Sequence, residues 1–232
     1  MNIGERLEMI GSLVLPGTVL ADIGTDHAYL PVYLLEEKKI EKAIAGDIAE
    51  GPCQAAAATV AMYNKKQQVE IRLGSGLSVL QPSEAACITI AGMGGSTMID
   101  ILSADIKVAV SAKRLILQPQ TGAPSLRKWL LANGWGIVQE ELVWEHKHLY
   151  EIIVAERSES LQQYSEAELE IGPLLLANKH PLLKDQFTKV LAAYKKQLGF
   201  MEKSTQAMQS EKYKYIKSLV AEVEVLANAS NS

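Results

Sequence analysis

The architecture follows from one run of residues near the N-terminus, Val19-Leu20-Ala21-Asp22-Ile23-Gly24-Thr25-Asp26-His27-Ala28-Tyr29-Leu30-Pro31. An apolar segment ends in an acid and a glycine, and a proline follows shortly afterwards. Apolar runs bounded by turn residues predict strands, and proline is tolerated in the first turn of a helix. The run therefore predicts a strand, a tight loop and a helix.

The loop in this run disfavours one class of ligand. A dinucleotide-binding loop carries Gly-x-Gly-x-x-Gly, because bare positions let the backbone approach a pyrophosphate. Here Gly24 stands alone, and the acids Asp22 and Asp26 would repel a pyrophosphate. The loop therefore suits a ligand that is cationic or rich in hydroxyl groups.

Length and composition predict a globular protein with one domain of about 150 residues and a smaller appendage. The chain has 232 residues, of which 48% are hydrophobic, and no signal peptide or membrane span is predicted. We expect a cytoplasmic monomer. The net charge is −4, with the acidic excess in residues 1–157, so an RNA partner would have to meet a local basic face. Cys53 and Cys87 lack ligand spacing, which disfavours both a disulfide and a zinc site.

Strands and helices alternate at short spacing along residues 1–157. The predicted strands are 19–23, 43–48, 69–73, 86–91, 114–118, 136–143 and 150–155. The alternation predicts an α/β fold with a mostly parallel sheet and helices on both faces. The last two strands are too close for a crossover helix, so an antiparallel terminal hairpin is expected. Loops are predicted at Gly92–Gly95 and Pro119–Pro124, with Ser96 as a candidate helix N-cap.

Residues 158–232 show no further strand pattern. We interpret Ser158–Ser160 and Tyr164–Glu166 as a linker. Two apolar stripes at helical spacing follow, Val190, Leu191, Tyr194, Leu198 and Met201, and then Ile216, Leu219, Val220, Val223 and Leu226. Two antiparallel helices would bury both stripes, with a bend between Ser204 and Ser210. The sequence therefore predicts a ligand-binding domain at 1–157 and a helical coiled-coil domain at 158–232.

Several candidate binding segments follow strands of the predicted sheet. Ligands bind at the carboxyl ends of parallel strands, so four segments should line one crevice: Asp22–Ala28, Asp47, Gly74–Leu77 and Ala91–Gly95. Asp47 can accept hydrogen bonds from the two hydroxyls of a ribose. The alternative for Asp47 is an ordinary solvated acid at a strand end. The glycines around Met93 leave the backbone open to a flat ligand.

Three motifs carry a family resemblance. They are Asp22–Pro31, Ile90-Ala91-Gly92-Met93-Gly94-Gly95 and Leu115-Ile116-Leu117-Gln118-Pro119. In this order and spacing they resemble the bacterial tRNA (adenine-22-N1)-methyltransferase family, TrmK, and the resemblance extends over the helical tail. It implies a class I (Rossmann-like) methyltransferase sheet, S-adenosylmethionine as the cofactor, tRNA as the substrate, and a helical pair that helps to hold the tRNA.

The resemblance also implies roles for residues on the cofactor side. The methionine part of the cofactor would be surrounded by Asp22, Gly24 and His27, and Asp47 would bind its ribose. The cofactor's adenine would be enclosed by residues from the ends of the second and third strands, Ile48, Ser75, Gly76 and Leu77, and Ala91 completes the cofactor-binding set. For His27, the alternative is that it simply satisfies backbone groups of the loop.

On the substrate side, Asp26 matches the acid taken as catalytic in the family. The target adenine would be framed by Tyr29, Gly92, Met93, Gly94, Gln118 and Pro119. For Gln118 and Pro119, the alternative is a role in loop entry. Two positions depart from the family pattern. Ser75 stands where relatives commonly have aspartate or asparagine, and Glu5-Arg6-Leu7 replaces a common Lys-Arg-Leu, which puts a conjectured phosphate contact in doubt.

The chemistry can be argued independently of the resemblance. Methyl transfer from a sulfonium is an in-line displacement, so alignment of the reacting atoms should supply most of the catalysis. N1-methyladenine is cationic, and no proton need be removed. We therefore expect Asp26 to accept a hydrogen bond from the adenine amino group and to stabilise the new cation. Because N1 lies on the pairing edge, the adenine must swing out of its stack.

Two other functions stay open. One is a small-molecule methyltransferase, in which the helical pair would be a lid or a dimer contact, and the other is a catalytically inactive RNA-binding protein that retains the cofactor. The lysines of the helical tail are more often solvated than bound to phosphate: Lys179, Lys184, Lys189, Lys195, Lys196, Lys203, Lys212, Lys214 and Lys217. His146 and His148 lack further ligands, so no metal site is predicted.

Overall fold

The computed structural model describes residues 1–160 and 162–230. It divides the chain into two compact units, Met1–Leu161 and Gln162–Ser232. Residues 161, 231 and 232 of the predicted helical domain lie outside the described residues. None of the helices in the described ranges combines the length and the apolar character that a membrane span requires.

The first unit alternates strands and helices around one sheet. Its strands are β1 (Val19–Ile23), β2 (Lys42–Asp47), β3 (Val69–Leu73), β4 (Cys87–Gly94), β5 (Arg114–Thr121), β6 (Trp135–Glu145) and β7 (His148–Arg157). Its helices are α1 (Glu5–Leu13), α2 (Tyr29–Glu36), α3 (Glu50–Met62), α4 (Gly95–Ala104), α5 (Ile106–Ser111) and α6 (Ala123–Ala132), with a 3-10 turn at Gly76–Val79. Helix α5 was not predicted from the sequence.

The strand order across the described residues is β3-β2-β1-β4-β5-β7-β6. The pairs β1–β2, β1–β4, β2–β3 and β4–β5 are parallel, whereas β5–β7 and β6–β7 are antiparallel. The chain returns to the centre of the sheet after β3, so Asp22 on β1 lies beside Thr89 on β4. The predicted Rossmann-like α/β fold is thereby confirmed, and the carboxyl ends of the central strands meet at one edge.

Strand β4 is longer than the sequence pattern predicts. It continues to Gly94, so the predicted loop Gly92–Gly95 is wrong for Gly92–Gly94. The pairing with β5 shifts register between Ala91 and Met93 and again between Met93 and Gly94. Such irregularities bend a strand without ending its pairing, and Gly92 accommodates the bend at φ 78°.

Strand β5 also continues into a predicted loop. Its last residue is Thr121 and α6 begins at Ala123, so the loop predicted at Pro119–Pro124 is wrong except at Gly122. Pro119 lies opposite Met93, where the β4–β5 register shifts. A proline lacks the N–H that regular pairing needs, and an irregularity in the ladder is where strands tolerate it. Helix α4 begins at Gly95, so Ser96 is not its N-cap.

A buried ion-pair cluster fastens α6 to the antiparallel edge of the sheet. The Arg127 side chain has no exposed surface, and it donates from Nε to Glu140 Oε1 at 2.6 Å and from Nη2 to Glu151 Oε2 at 3.0 Å. Glu140 lies on β6 and Glu151 on β7. Leaving one such charge unpaired typically costs about 3–5 kcal/mol, so the cluster strongly favours this arrangement of α6, β6 and β7.

The second unit is helical. It contains α7 (Glu166–Ile171), α8 (Pro173–Ala177), α9 (Leu183–Met201), α10 (Thr205–Met208) and α11 (Glu211–Ser230). Helices α9 and α11 pack against each other. Four of the five residues in the predicted α11 stripe are buried, Ile216, Leu219, Val220 and Val223. The predicted α9 stripe is half-buried, and the buried residues of α9 lie nearer its start, at Leu183, Gln186 and Phe187.

Serine side chains accept backbone hydrogen bonds at the starts of three helices of the second unit, α7, α10 and α11. Ser165 Oγ accepts from Glu168 N at 3.2 Å, and Glu168 Oε2 accepts from Ser165 N at 2.7 Å, which forms a capping box. The interpretation of Ser165 and Glu166 as a linker is therefore wrong. Ser204 caps α10, and Ser210 Oγ accepts from Tyr213 N at the start of α11. The break between the long helices lies where the sequence places it.

Candidate functional site

The loop after β1 lies at the carboxyl edge of the sheet and is fixed there by backbone hydrogen bonds. Gly24 N and Thr25 N both donate to Gly46 O on β2, at 2.8 and 3.1 Å. Gly24 has φ 74°, and a Cβ at this position would overlap the methyl group of Met93. Glycine is required here, because a side chain would strain the backbone and displace Met93.

The carboxylate of Asp22 is buried at the end of β1. Thr89 Oγ1 donates to Asp22 Oδ1 and Thr25 Oγ1 donates to Asp22 Oδ2, each at 2.7 Å. Burial raises the pKa of Asp22 in spite of these two hydrogen bonds, and the Asp47 carboxylate raises this pKa further. A cationic ligand group beside Asp22 would offset both effects.

Asp26 and His27 occupy the outer part of the loop. Asp26 has a left-handed backbone at φ 52°, and its side chain is 72% exposed. His27 Nε2 lies 3.7 Å from Asp26 Oδ1, and the His27 ring stacks on Tyr29 with ring centroids 5.0 Å apart. Within the described residues no hydrogen bond holds the Asp26 carboxylate, so it is available to a ligand.

A cleft of about 360 Å³ opens beside this loop. The predicted site residues that line it are Asp22, Gly24, Asp26, His27, Tyr29, Asp47, Ala91, Gly92 and Met93. It is also lined by Thr25, which belongs to the predicted segment Asp22–Ala28, and by three residues that were not predicted to line it, Arg6, Leu7 and Leu30. The cleft thus brings together the β1 loop, the end of β2 and the irregular end of β4, with the start of α1 as an added wall.

Asp47 lies at the end of β2 and is hydrogen-bonded to residues that follow β2 and β3. Its Oδ1 accepts from Ala49 N at 2.9 Å, and its backbone oxygen accepts from Gly74 N at 2.9 Å. The other carboxylate oxygen has no hydrogen-bond partner among the described residues. Because Asp47 also lines the cleft, this oxygen can accept hydrogen bonds from a ligand.

The remaining predicted site residues lie outside the lining of this cleft. They are Ile48, Ser75, Gly76, Leu77, Gly94, Gln118 and Pro119. Ile48 and Leu73, at the ends of β2 and β3, are 72% and 56% exposed, which provides an apolar surface at the same edge. The Leu77 side chain is completely buried and belongs to the core, so it offers no open surface to a ligand.

Gln118 supports the cleft wall from behind. Its side chain is fully buried on β5, and Oε1 accepts from Gly92 N at 3.1 Å and from Arg6 Nη1 at 2.9 Å. These two donors fix which end of the amide is the oxygen. The Gln118 Nε2 donor is buried without a partner among the described residues. Gln118 therefore positions Gly92 and Arg6, a role that no local sequence pattern indicated.

The described residues contain no group of three or more histidine, cysteine, aspartate or glutamate side chains placed to hold a metal ion. Cys53 and Cys87 are free thiols. Cys87 is buried in β4, and its sulfur accepts a hydrogen bond from Leu15 N at 3.4 Å. The two cysteines therefore contribute to packing around the sheet.

Comparison with protein families shows which family the chain belongs to. The sequence model of the tRNA (adenine(22)-N(1))-methyltransferase family, TrmK, matches residues 20–225. The chain belongs to the TrmK family.

Individual relatives and solved structures match along almost the whole chain. The tRNA (adenine(22)-N(1))-methyltransferase of Bacillus subtilis is 33% identical over 231 residues, covering 97% of this chain and 96% of the relative. A Streptococcus agalactiae structure of the NADB-Rossmann superfamily has a TM-score of 0.89 and 32% identity, with 98% of each chain covered. M. capricolum TrmK in complex with S-adenosyl-homocysteine has a TM-score of 0.83 and 26% identity, covering 97% of this chain and 98% of the other.

The buried Asp22 carboxylate makes a pH-dependent contribution to stability. Its folded-state pKa is raised above the unfolded value of about 3.9, so the folded state binds the proton more tightly. This contribution favours folding at low pH and is lost as the pH rises from about 3.9 through the folded pKa. Asp22→Asn removes this contribution. The free energy of unfolding of the variant should therefore rise relative to that of the wild type as the pH rises.

Urea unfolding of the two ligand-free proteins between about pH 4 and pH 8 measures this difference. Thr89→Val serves as a companion variant, because it removes one of the hydrogen bonds that oppose the raised pKa. The free energy of unfolding of Thr89→Val should then fall more between about pH 4 and pH 8 than that of the wild type. A free energy of unfolding of Asp22→Asn that falls relative to that of the wild type as the pH rises would contradict the assignment.

Proposed function

We infer that this TrmK-family protein transfers a methyl group from S-adenosylmethionine to N1 of adenine 22 in tRNA. One observation carries the inference: a single cleft at the carboxyl edge of the sheet collects the buried acid Asp22, the exposed acid Asp26 and the glycine-flanked Met93. A buried acid beside an exposed one suits a cationic cofactor next to a base that becomes cationic. Membership of the TrmK family assigns the substrate class.

The residues of the cleft fit the cofactor. Asp22 is a buried carboxylate whose pKa is raised by burial and by the Asp47 carboxylate, and a cationic ligand group beside it would offset both effects. The free carboxylate oxygen of Asp47 suits ribose hydroxyls, and the exposed apolar side chains of Ile48 and Leu73 suit a flat adenine ring. Ser75 and Gly76 begin the 3-10 turn at the same edge, and the Ser75 side chain makes no capping hydrogen bond. When bound, the cofactor supplies an electrophilic methyl group on a sulfonium.

The protein's own residues position the base and stabilise its charge. Tyr29, stacked on His27, presents a ring beside which an extruded adenine can lie, and the bare backbone at Gly92 admits the base next to Met93. Asp26 accepts a hydrogen bond from the adenine amino group and stabilises the positive charge that forms on the ring. Because no proton leaves N1, catalysis consists of alignment and charge stabilisation, with no step that needs a base.

The helical unit supplies a second surface for tRNA. We assign residues 1–157 as the catalytic domain and residues 158–232 as an antiparallel coiled-coil domain that assists in tRNA binding. A cavity of about 400 Å³ in this unit is lined by Lys179 and Lys184 over the apolar side chains of Phe187 and Leu191. The cavity lining contains no acidic residue, which suits a phosphate and an adjoining base or sugar. We also propose a monomer, which light scattering tests directly.

Transfer of a tritiated methyl group to two tRNAs tests the main inference. A tRNA with adenine at position 22 should be methylated, and the same tRNA with guanine at that position should not, because N1 of guanine carries a proton. Transfer to neither would favour a small-molecule substrate or an inactive RNA-binding protein. Transfer to both would contradict specificity for adenine.

Asp26→Asn tests the electrostatic role of the acid. The amide keeps the size of the side chain and can still accept a hydrogen bond, but it loses the charge. Turnover should fall by about 100-fold, the usual scale for one group that acts on developing charge. Affinity for S-adenosyl-homocysteine should change by less than about two-fold, since Asp26 is assigned to the substrate side. Unchanged turnover would remove Asp26 from the mechanism.

Charge reversal tests the helical surface. Lys179→Glu combined with Lys184→Glu should weaken tRNA binding by about 10-fold or more and reduce the slope of affinity against salt by about two phosphate contacts. Lys212→Glu combined with Lys217→Glu makes the same change on exposed positions of α11 that do not line the cavity. Equal losses in both double variants would show a general effect of charge and would exclude the cavity as the contact.

A further inference from the structure

We propose that Arg6 binds the α-carboxylate of the cofactor's methionine part. The inference rests on the proposed function and gives Arg6 a role other than the phosphate contact conjectured for the Lys-Arg-Leu pattern of relatives. Three carboxylates line the cleft, Asp22, Asp26 and Asp47, and Arg6 is the one lining residue with a permanent positive charge. An amino-acid group that enters such a cleft needs a cation for its own carboxylate.

The guanidinium of Arg6 is held in place by three strands. Its Nε donates to Glu145 Oε2 at 3.3 Å on β6, and its Nη1 donates to Gln118 Oε1 at 2.9 Å on β5. The same group lies 5.3 Å from the ring centroid of Tyr150 on β7. The Arg6 backbone N–H also donates to Glu145 Oε1, which fixes the start of α1. The side chain is therefore oriented before any ligand arrives.

Part of the guanidinium is left for a ligand. Among the described residues Nη2 has no hydrogen bond, and the side chain is 22% exposed while it lines the cleft. Glu145 and Gln118 occupy Nε and one Nη1 position, so the remaining N–H groups can donate to a carboxylate. Leu7, the next residue of α1, lines the same cleft, which places this helix end against the bound ligand.

The charges of the cleft match the methionine part of the cofactor as a zwitterion. Its ammonium and the sulfonium suit the buried acid Asp22, whereas its carboxylate would be repelled by Asp22 and Asp47 without a nearby cation. A phosphate of the target nucleotide is the other anion that must approach. The largely buried and firmly anchored Arg6 favours the small enclosed carboxylate over a phosphate on a mobile backbone.

Calorimetric titration of two cofactor fragments tests the assignment. S-adenosyl-homocysteine carries the amino-acid group, and 5′-methylthioadenosine lacks it. Arg6→Ala should weaken binding of S-adenosyl-homocysteine by about 10- to 100-fold, the range for a hydrogen bond to a charged group. Binding of 5′-methylthioadenosine should change by less than about two-fold, which also shows that the variant is folded.

Arg114→Ala is the matched control. Arg114 also anchors α1, by donating to Leu13 O at 2.8 Å and pairing with Glu156, but it does not line the cleft. Both affinities should stay within about two-fold of the wild type in this variant. A loss of S-adenosyl-homocysteine binding equal to that of Arg6→Ala would show that α1 anchoring, and not the Arg6 charge, is responsible.

Three further results would overturn the proposal. Equal losses for both ligands in Arg6→Ala would assign Arg6 to the structure of the whole site. Unchanged affinity for S-adenosyl-homocysteine with weakened tRNA binding would assign Arg6 to a nucleotide phosphate. Failure of the wild-type protein to bind either ligand would refute the proposed function together with this inference, whereas the first two results leave the proposed function intact.

Discussion

Burial of the Asp22 carboxylate at the end of β1 constrains the whole site. A buried carboxylate is costly unless its oxygens accept hydrogen bonds, and the two donors are Thr25 in the following loop and Thr89 on β4. The first bond requires the chain to turn back over the strand, which Gly24 permits. The second requires β4 beside β1, which the return of the chain to the centre of the sheet provides. The hydrogen bonds to this one carboxylate thus require both the loop conformation and the strand order.

Burial of the Asp22 carboxylate has an electrostatic cost, which a cationic ligand can offset. The pKa of Asp22 stays raised although both of its oxygens accept hydrogen bonds, and Asp47 contributes to that rise from the neighbouring strand. A protein that needed only stability would gain by replacing such a group with a neutral one. The cost is reasonable where a cation binds, because the field is then in place before the ligand arrives and no further reorganisation is required.

The sequence predicted the parts of this structure that depend on local pattern. The bounds of β1, Val19–Ile23, follow from an apolar run that ends at an acid and a glycine, and the parallel order makes its neighbours converge at one edge. The end of β4 could not be predicted, because Met93 and Gly94 stay paired with β5 only across register shifts. Arg6 reaches the cleft through tertiary contacts with Glu145 and Gln118, which leave no local signal. By contrast, the capping box at Ser165 is a local signal that the linker interpretation overlooked.

The two acids of the β1 loop lie in opposite environments, and this difference bears on the order of events. The Asp22 carboxylate is buried and hydrogen-bonded, whereas the Asp26 side chain is 72% exposed. Water screens an exposed charge, so in the proposed mechanism Asp26 stabilises little before the substrate arrives. An adenine that lies against Tyr29 would displace water from Asp26 and strengthen its attraction for the developing cation. The electrostatic contribution of Asp26 would therefore become effective only when the extruded base is in place, while that of Asp22 is available to the cofactor throughout.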